Sequence, residues 1–370
     1  MSQKRTIIIE MAKKRVFKDT KLYSLNNCKK LFYIWGNFNW SEKVVLIQKL
    51  FEDYSCSPVV KWIGGKRQLL KILNYCIDSY LHKTKLDKFS YHEPFFGGGA
   101  LYFSLVSENL IKKAYLNDIN TELVSMYSTI KNDKLLYFFL DKVLELEEQF
   151  NRNLNRDKLH EKWRARFNYL IKKQANKSMN KKDEVELSAL LLALNKTSFN
   201  GIYRKNKKGE FNVPFNKKFT DIIKFADLEN IRNVNHNFQN VEFTNLSFEK
   251  AINFQKIKKN HFVFLDPPYI PISKTSSFSS YYDDGFNLTK HEVLANKIDE
   301  IEKKGAYFIL TNSETDLTKN IYNLKNKFSV YPVNVARNIN QKGLDTSDNG
   351  IRELIITNFK IKNLETLKDH

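Results

Sequence analysis

Cysteine is nearly missing from this chain: Cys28, Cys56 and Cys76 are scattered through 370 residues, without CxxC spacing and without a histidine cluster beside them. That excludes a disulfide framework or a structural zinc as the organising device, and no metal is expected. Long apolar runs are missing too. No stretch approaches the roughly 18 uncharged apolar residues of a membrane span. The first residues, with Lys4, Arg5, Glu10, Lys13, Lys14 and Arg15, lack a signal-peptide core. A cytoplasmic protein with no membrane attachment is expected. There is no GxxxxGK[ST], which disfavours a P-loop, and no regular GxGxxG, which weakens a nicotinamide or flavin reading. Internal repeats are absent.

Acid is in short supply. Against 61 Lys+Arg stand 41 Asp+Glu, a formal net charge of +20. Such an excess favours a polyanionic partner, because each neutralised phosphate releases condensed counterions. The Lys-, Asn-, Ile- and Phe-rich composition of an AT-rich genome produces the same bias, so charge alone leaves both origins open. Hydrophobic side chains, at 42%, and aromatic ones, at 14%, are plentiful. They suffice for a large core.

From Lys61 the chain alternates strand and helix signals. A helical pattern runs through Leu69, Leu70, Ile72 and Leu73, a strand precedes Phe95, a helix starts near Ala100, and a short strand ends at Asn117-Asp118. This alternation predicts an α/β fold with a parallel, doubly wound sheet. The pattern lapses over 135–238, where charged helical segments at 140–148, 163–171 and 186–194 flank a Lys-, Asn- and Gly-rich loop, 200–218. It resumes with strands at 241–243, 261–265 and 305–310. Two late strands, 330–335 and 354–357, read as an antiparallel pair. The expected organisation is an extension of unknown role (1–55), an α/β domain (56–134 and 239–360), an inserted, mostly helical domain (135–238) and a tail (361–370).

Three motifs carry chemistry. Asp266-Pro267-Pro268-Tyr269 closes the apolar run His261-Phe262-Val263-Phe264-Leu265. It offers a carboxylate and an aromatic face at a strand end that the prolines keep from becoming helix. A flat, amino-bearing ring suits that pair. Phe95-Phe96-Gly97-Gly98-Gly99 joins a strand to a helix, where glycine permits a tight turn and close approach of a ligand. Asp118, about 20 residues on, stands where a carboxylate takes ribose hydroxyls; a structural turn and a capping aspartate explain the same residues. Lys61-Trp62-Ile63-Gly64-Gly65-Lys66 reads either as a carboxylate-holding loop with a stacking ring or as a basic surface loop.

Together and in this order, the three motifs resemble those of the Dam-type DNA adenine-N6 methyltransferases, in the class that places KWxGGK ahead of the glycine motif. The likeness extends over about 58–359, interrupted mainly by low similarity over 135–187. The resemblance implies S-adenosylmethionine as methyl donor, a catalytic domain of Rossmann type, an inserted target-recognition domain, and double-stranded DNA as partner. It further implies that Trp62, Gly65, Lys66, Phe95, Gly97, Gly99 and Asp118 contact the cofactor, Lys66 near the methionine carboxylate. Asp266, also beside the cofactor, Pro267 and Tyr269 would receive the adenine, and the stretch 270–278 would lie beside the active site against DNA. Where the family often has Asp-Phe, this chain has Ser247-Phe248, placing a serine at the cofactor's adenine. Ser198-Phe199-Asn200-Gly201-Ile202-Tyr203-Arg204 with Gly209-Glu210-Phe211-Asn212-Val213-Pro214-Phe215 is similar to the recognition hairpin of enzymes that read GATC. Phe199 would wedge into the base stack, Ile202 touch a thymine methyl, and Arg204 and Pro214 meet base edges; Lys61, Asn200 and Lys217 complete the DNA-facing set.

Two other readings compete. One is methylation of cytosine N4 or of RNA adenine in the same pocket; Asp266 argues against cytosine, since cytosine enzymes usually place Ser there, and leaves RNA adenine open. The other is a catalytically silent DNA-binding protein on the same scaffold. The resemblance leaves a cognate restriction endonuclease open as a partner, and no feature sets an oligomeric state.

Overall fold

The computed structural model describes residues 54–218, 222–225, 227–252, 256–271, 286–322, 327–334 and 352–361. The expectations for 1–53, for 272–278 and for 362–370 lie outside the described residues.

Seven strands form one sheet: β1 (Phe89–Glu93), β2 (Ile111–Asn117), β3 (Val241–Thr244), β4 (Phe262–Leu265), β5 (Tyr307–Ser313), β6 (Ser329–Asn334) and β7 (Arg352–Thr357), in the order β3-β2-β1-β4-β5-β7-β6. The first five run parallel. The late pair is antiparallel, as the sequence suggests, but β7 is also antiparallel to β5 and thus separates β5 from β6. The sheet is therefore mixed rather than wholly parallel. Along β4 the side chains alternate, Phe262 and Phe264 entering one core and Val263 and Leu265 the other. Both faces are covered, so this strand reads as one continuous apolar run.

Ten α-helices are found among the described residues: α1 (Leu70–Thr84), α2 (Ala100–Ser107), α3 (Thr121–Lys131), α4 (Asp133–Arg152), α5 (Arg156–Ala175), α6 (Lys181–Thr197), α7 (Leu228–Phe238), α8 (Phe248–Ala251), α9 (Leu288–Lys303) and α10 (Asp316–Ile321). The chain's many asparagines serve as starts. Asn120, Asn132, Asn155, Asn180 and Asn287 each cap a helix, the side-chain oxygen accepting a free N–H of the first turn. Helix α4 buries Phe139, Val143, Leu146 and Phe150, spaced at intervals of four and three. Helix α6 lies at the centre of the inserted helices, against α3, α4 and α5, and its residues 187–195 are all buried. The core of these helices is continuous with that of one sheet face, so they form a fixed extension of the α/β body.

Candidate active site

The named motifs converge at the C-terminal ends of β1, β2 and β4. Chain order reverses between β1 and β4, the position where open α/β sheets hold ligands.

At the end of β1 the chain turns at once. The Phe96 N–H donates to the Asn117 carbonyl and the Gly99 N–H to the Phe96 carbonyl, both at 2.8 Å. Gly97 and Gly99 have φ of +49° and +68°. A Cβ on Gly99 would lie 2.4 Å from Phe96 Cζ, and one on Gly97 2.8 Å from Trp62 Cδ1, so neither position admits a side chain. Asp118 faces this turn, accepting from the Gly97 N–H at 2.7 Å and the Asn120 N–H at 2.8 Å. Burial pushes its carboxyl above the usual range, while the N–H groups of Asn120, Gly97 and Ile119 pull it back. A carboxylate has about four lone-pair positions, so Asp118 keeps room for hydroxyl donors. Asn117 joins the strand ends, donating to the carbonyls of Pro94 and Leu246, each at 3.0 Å, and accepting from Thr244 Oγ1 at 2.8 Å.

Asp266 follows β4 directly. Thr311 Oγ1 on the neighbouring β5 donates to its Oδ1 at 2.6 Å, and Lys66 Nζ pairs with its Oδ2 at 2.7 Å. Lys66 Nζ also donates to the Gly64 carbonyl at 2.6 Å and lies 4.7 Å from the centre of the Tyr269 ring. It thus reaches both the Asp266 carboxylate and the Tyr269 ring. The Tyr269 hydroxyl donates to Glu353 Oε2 at 2.8 Å. Burial, with Asp266 and Glu353 nearby, holds that hydroxyl far above its ordinary range, so it stays protonated as the donor. Pro267 is buried and Pro268 exposed. The backbone beyond is anchored by the Ile270 N–H on Asn312 Oδ1 at 3.0 Å and by the Ser313 hydroxyl on the Ile270 carbonyl.

The Lys61–Lys66 segment turns through Gly65, whose N–H donates to the Trp62 carbonyl at 3.2 Å. Trp62 lies against Gly97 and Gly98. Phe95 packs its ring on Phe248 and Phe286, with centroids 5.4 and 5.6 Å apart. Ser247 starts α8, and its side chain makes no capping bond; the Leu246 N–H beside it is held by Asn117 Oδ1.

The second constellation stands on the inserted helices. Residues 198–215 form a hairpin-like loop, bridged antiparallel at Ser198–Phe215 and Lys205–Phe211. Phe199 is 47% exposed, and Asn200 takes a left-handed φ of 55°. Arg204, Pro214 and Lys217 are exposed, and Ile202 is half-buried. Arg204 Nε donates to Asn212 Oδ1 at 2.9 Å; among the described residues its terminal nitrogens have no partner. Lys61 joins this group through Asn195, whose side chain accepts from the Lys61 N–H at 2.9 Å and donates to the carbonyls of Lys61 and Gly201, both at 2.8 Å.

Several residues of the site escape motif reading. Glu93 ends β1 fully buried, accepts from the Tyr91 hydroxyl at 2.9 Å, and is pushed well above the usual carboxylate range, first by burial. Thr311, Asn312 and Glu353 are likewise unannounced by any motif. Their one signal is a polar residue within an otherwise apolar strand.

A doubly wound sheet with a glycine turn and a buried carboxylate at this reversal point is the architecture of a Rossmann-like methyltransferase. Comparison with known sequences narrows the class. Over residues 62–339 the chain matches, and so belongs to, the D12 class N6 adenine-specific DNA methyltransferase family. It is 37% identical over 303 residues to the Type II methyltransferase M.MjaIII of Methanocaldococcus jannaschii, covering 82% of this chain and 99% of that protein. To the Type II methyltransferase M1.LlaDCHI of Lactococcus lactis subsp. cremoris it is 31% identical, covering 85% and 99%. To the DNA adenine methylase of Haemophilus influenzae it is 29% identical, covering 72% and 82%. The protein is an adenine-specific DNA methyltransferase, and its substrate is DNA. No helix among the described residues is long and apolar enough to cross a membrane.

Proposed function

We propose that this enzyme transfers a methyl group from S-adenosylmethionine to N6 of an adenine swung out of double-stranded DNA, at GATC. The observation that carries the reading is the Asp266–Tyr269 pair: a carboxylate fixed by Thr311 and Lys66, next to a ring fixed by Glu353. A duplex keeps N6 inside the stack, so the base must leave it. Tyr269 then stacks on the base, Asp266 accepts one N6 hydrogen and the Pro267 carbonyl the other. Those two acceptors draw the nitrogen lone pair out of the ring and aim it. Trp62, Gly65, Lys66, Phe95, Gly97, Gly99, Asp118 and Ser247 hold the donor. The fit rests on the spare acceptor positions of buried Asp118 beside the glycine turn. When bound, the donor supplies a methyl group on positively charged sulfur.

The domain plan follows from this division of work. The α/β parts, 56–134 and 239–360, perform the chemistry, and 135–238 reads the sequence. The exposed fork of Arg204 suits bidentate contact with guanine O6 and N7, with Lys61, Phe199, Asn200, Ile202, Pro214 and Lys217 beside it on DNA. Two relatives are Type II methyltransferases, which supports a cognate restriction endonuclease as partner; the cytoplasm, where chromosomal DNA lies, is the site of action.

Expression in a host without its own methylation, followed by mapping of modified bases, tests the proposal. N6-methyladenine at GATC is expected. Methyl groups on cytosine N4 would overturn the choice of base, and N6-methyladenine at another sequence would overturn the site.

A further inference from the structure

We propose that Trp62, Tyr203 and Glu122 form a link through which the donor site and the DNA-reading hairpin sense each other. This rests on the function just proposed and adds positioning residues to it. Trp62 is pressed between the two sites. One side of its ring meets the glycine turn so closely that a Cβ on Gly97 would lie 2.8 Å from Cδ1, and one on Gly98 3.1 Å from Trp62 Cβ. On the hairpin side it stacks on Tyr203, with centroids 5.2 Å apart and planes at 25°.

A second tie runs parallel. Glu122, 2% exposed in the first turn of α3, accepts from the Tyr203 hydroxyl at 3.0 Å and pairs with Lys205 Nζ at 2.6 Å. That turn begins only a few residues after Asp118, whose Oδ1 accepts the N–H of the capping Asn120. The first tie ends on residue 203 and the second on residues 203 and 205, on either side of Arg204. A third, through Asn195, fixes the Lys61 backbone to the Gly201 carbonyl. A Cβ on Gly201 would lie 3.0 Å from Lys61 Cδ, so these segments have no slack. Interiors packed this closely transmit small displacements rather than absorb them. A shift of Trp62 or of the 118–122 segment when the donor site fills is therefore passed to the backbone that aims Arg204. By linkage, target DNA tightens donor binding by the same factor.

The test is titration of the full chain with S-adenosylhomocysteine, an unreactive product, with and without a duplex carrying the mapped methylation site. Wild type should bind it at least about fivefold more tightly with the duplex, within the usual range of such couplings. Tyr203→Ala, checked for folding by its melting temperature, should reduce the gain below about twofold while leaving the affinity without DNA within about threefold. Tyr203→Phe keeps the stack and should retain at least half the coupling. The inference is overturned if wild type methylates the duplex but shows no gain, if Tyr203→Ala keeps the full gain, or if Tyr203→Phe loses it as completely as Tyr203→Ala. A wild type that methylates no duplex overturns the proposed function itself, and this inference with it.

Discussion

The glycine turn at 96–99 and the hairpin at 198–215 flank the same tryptophan, yet they are built on opposite principles. The turn spends its polar groups inward: its N–H groups go to Asn117-end and Phe96 carbonyls and to Asp118, and aromatic rings close over it. The hairpin fixes its base, with Ser198 buried against His160 and Tyr203 on Glu122, but turns Phe199, Arg204 and Pro214 outward. A pocket for one small molecule can be finished in advance. A surface for a duplex must keep its donors open until the DNA arrives, because phosphate and base contacts complete them. On the function proposed above, damage to the first is expected to cost fold and activity together, and damage to the second to alter target choice with little loss of stability.

Four experiments probe that contrast. Asp266→Ala should lower methyl transfer by about a thousandfold or more, on the scale of removing a catalytic acceptor, with specific DNA binding little changed. Retained turnover in that variant would falsify the assignment. Gly99→Ala asks for a left-handed alanine whose Cβ would meet Phe96 at 2.4 Å, and strain plus clash should destabilise by about 3 kcal/mol. Denaturant melts measure this; a variant as stable as wild type breaks the picture of a closed turn. On the other side of the comparison, Arg204→Ala should lose about 1–3 kcal/mol of discrimination at one base position while melting as wild type does. Methylation of duplexes substituted at each base in turn reads the loss, and an unchanged preference removes Arg204 from the reading surface.

The smallest effect is set by pH. His160 Nε2 lies 3.0 Å from Ser198 Oγ at the hairpin base, and burial, aided by Arg164, lowers its pKa from 6.5 to about 4, with Asp157 opposing. A base whose folded pKa is depressed takes up more protons when unfolded, so stability is full above pH 6.5 and falls as the pH drops toward 4. At pH 5 the loss from this residue is roughly 2 kcal/mol. Comparing melts of wild type and His160→Gln between pH 7.5 and 5 isolates it; parallel slopes would show that His160 contributes none.

How much of this was legible beforehand depended on how local each feature is. The glycine turn, Asp118 and the Asp266–Tyr269 strand end announce themselves because their residues are contiguous and each type has a steric or chemical reason to stand there. The strands and the three long inserted helices follow from periodicity, although the helices extend well beyond the segments first visible, capped by asparagines that composition made common. What stayed hidden was nonlocal. Nothing near Thr311 says that register places it opposite Asp266, nothing near Glu122 says that a hairpin some eighty residues later lands on it, and the ion pair of Lys66 with Asp266 joins the two ends of the motif series.

Glu353 gives that nonlocality a genomic consequence. It holds the Tyr269 hydroxyl from β7, whose Arg352–Thr357 span lies past residue 339, where the family match ends. Strand β7 is also the neighbour through which β6 joins the sheet. A gene copy cut short between codons 340 and 351 would encode every recognisable signature, yet its product would have an open sheet edge and a tyrosine without its anchor. A census of such genes by motif alone would count these relics among working enzymes, and the reading frame through codon 357 is the better criterion.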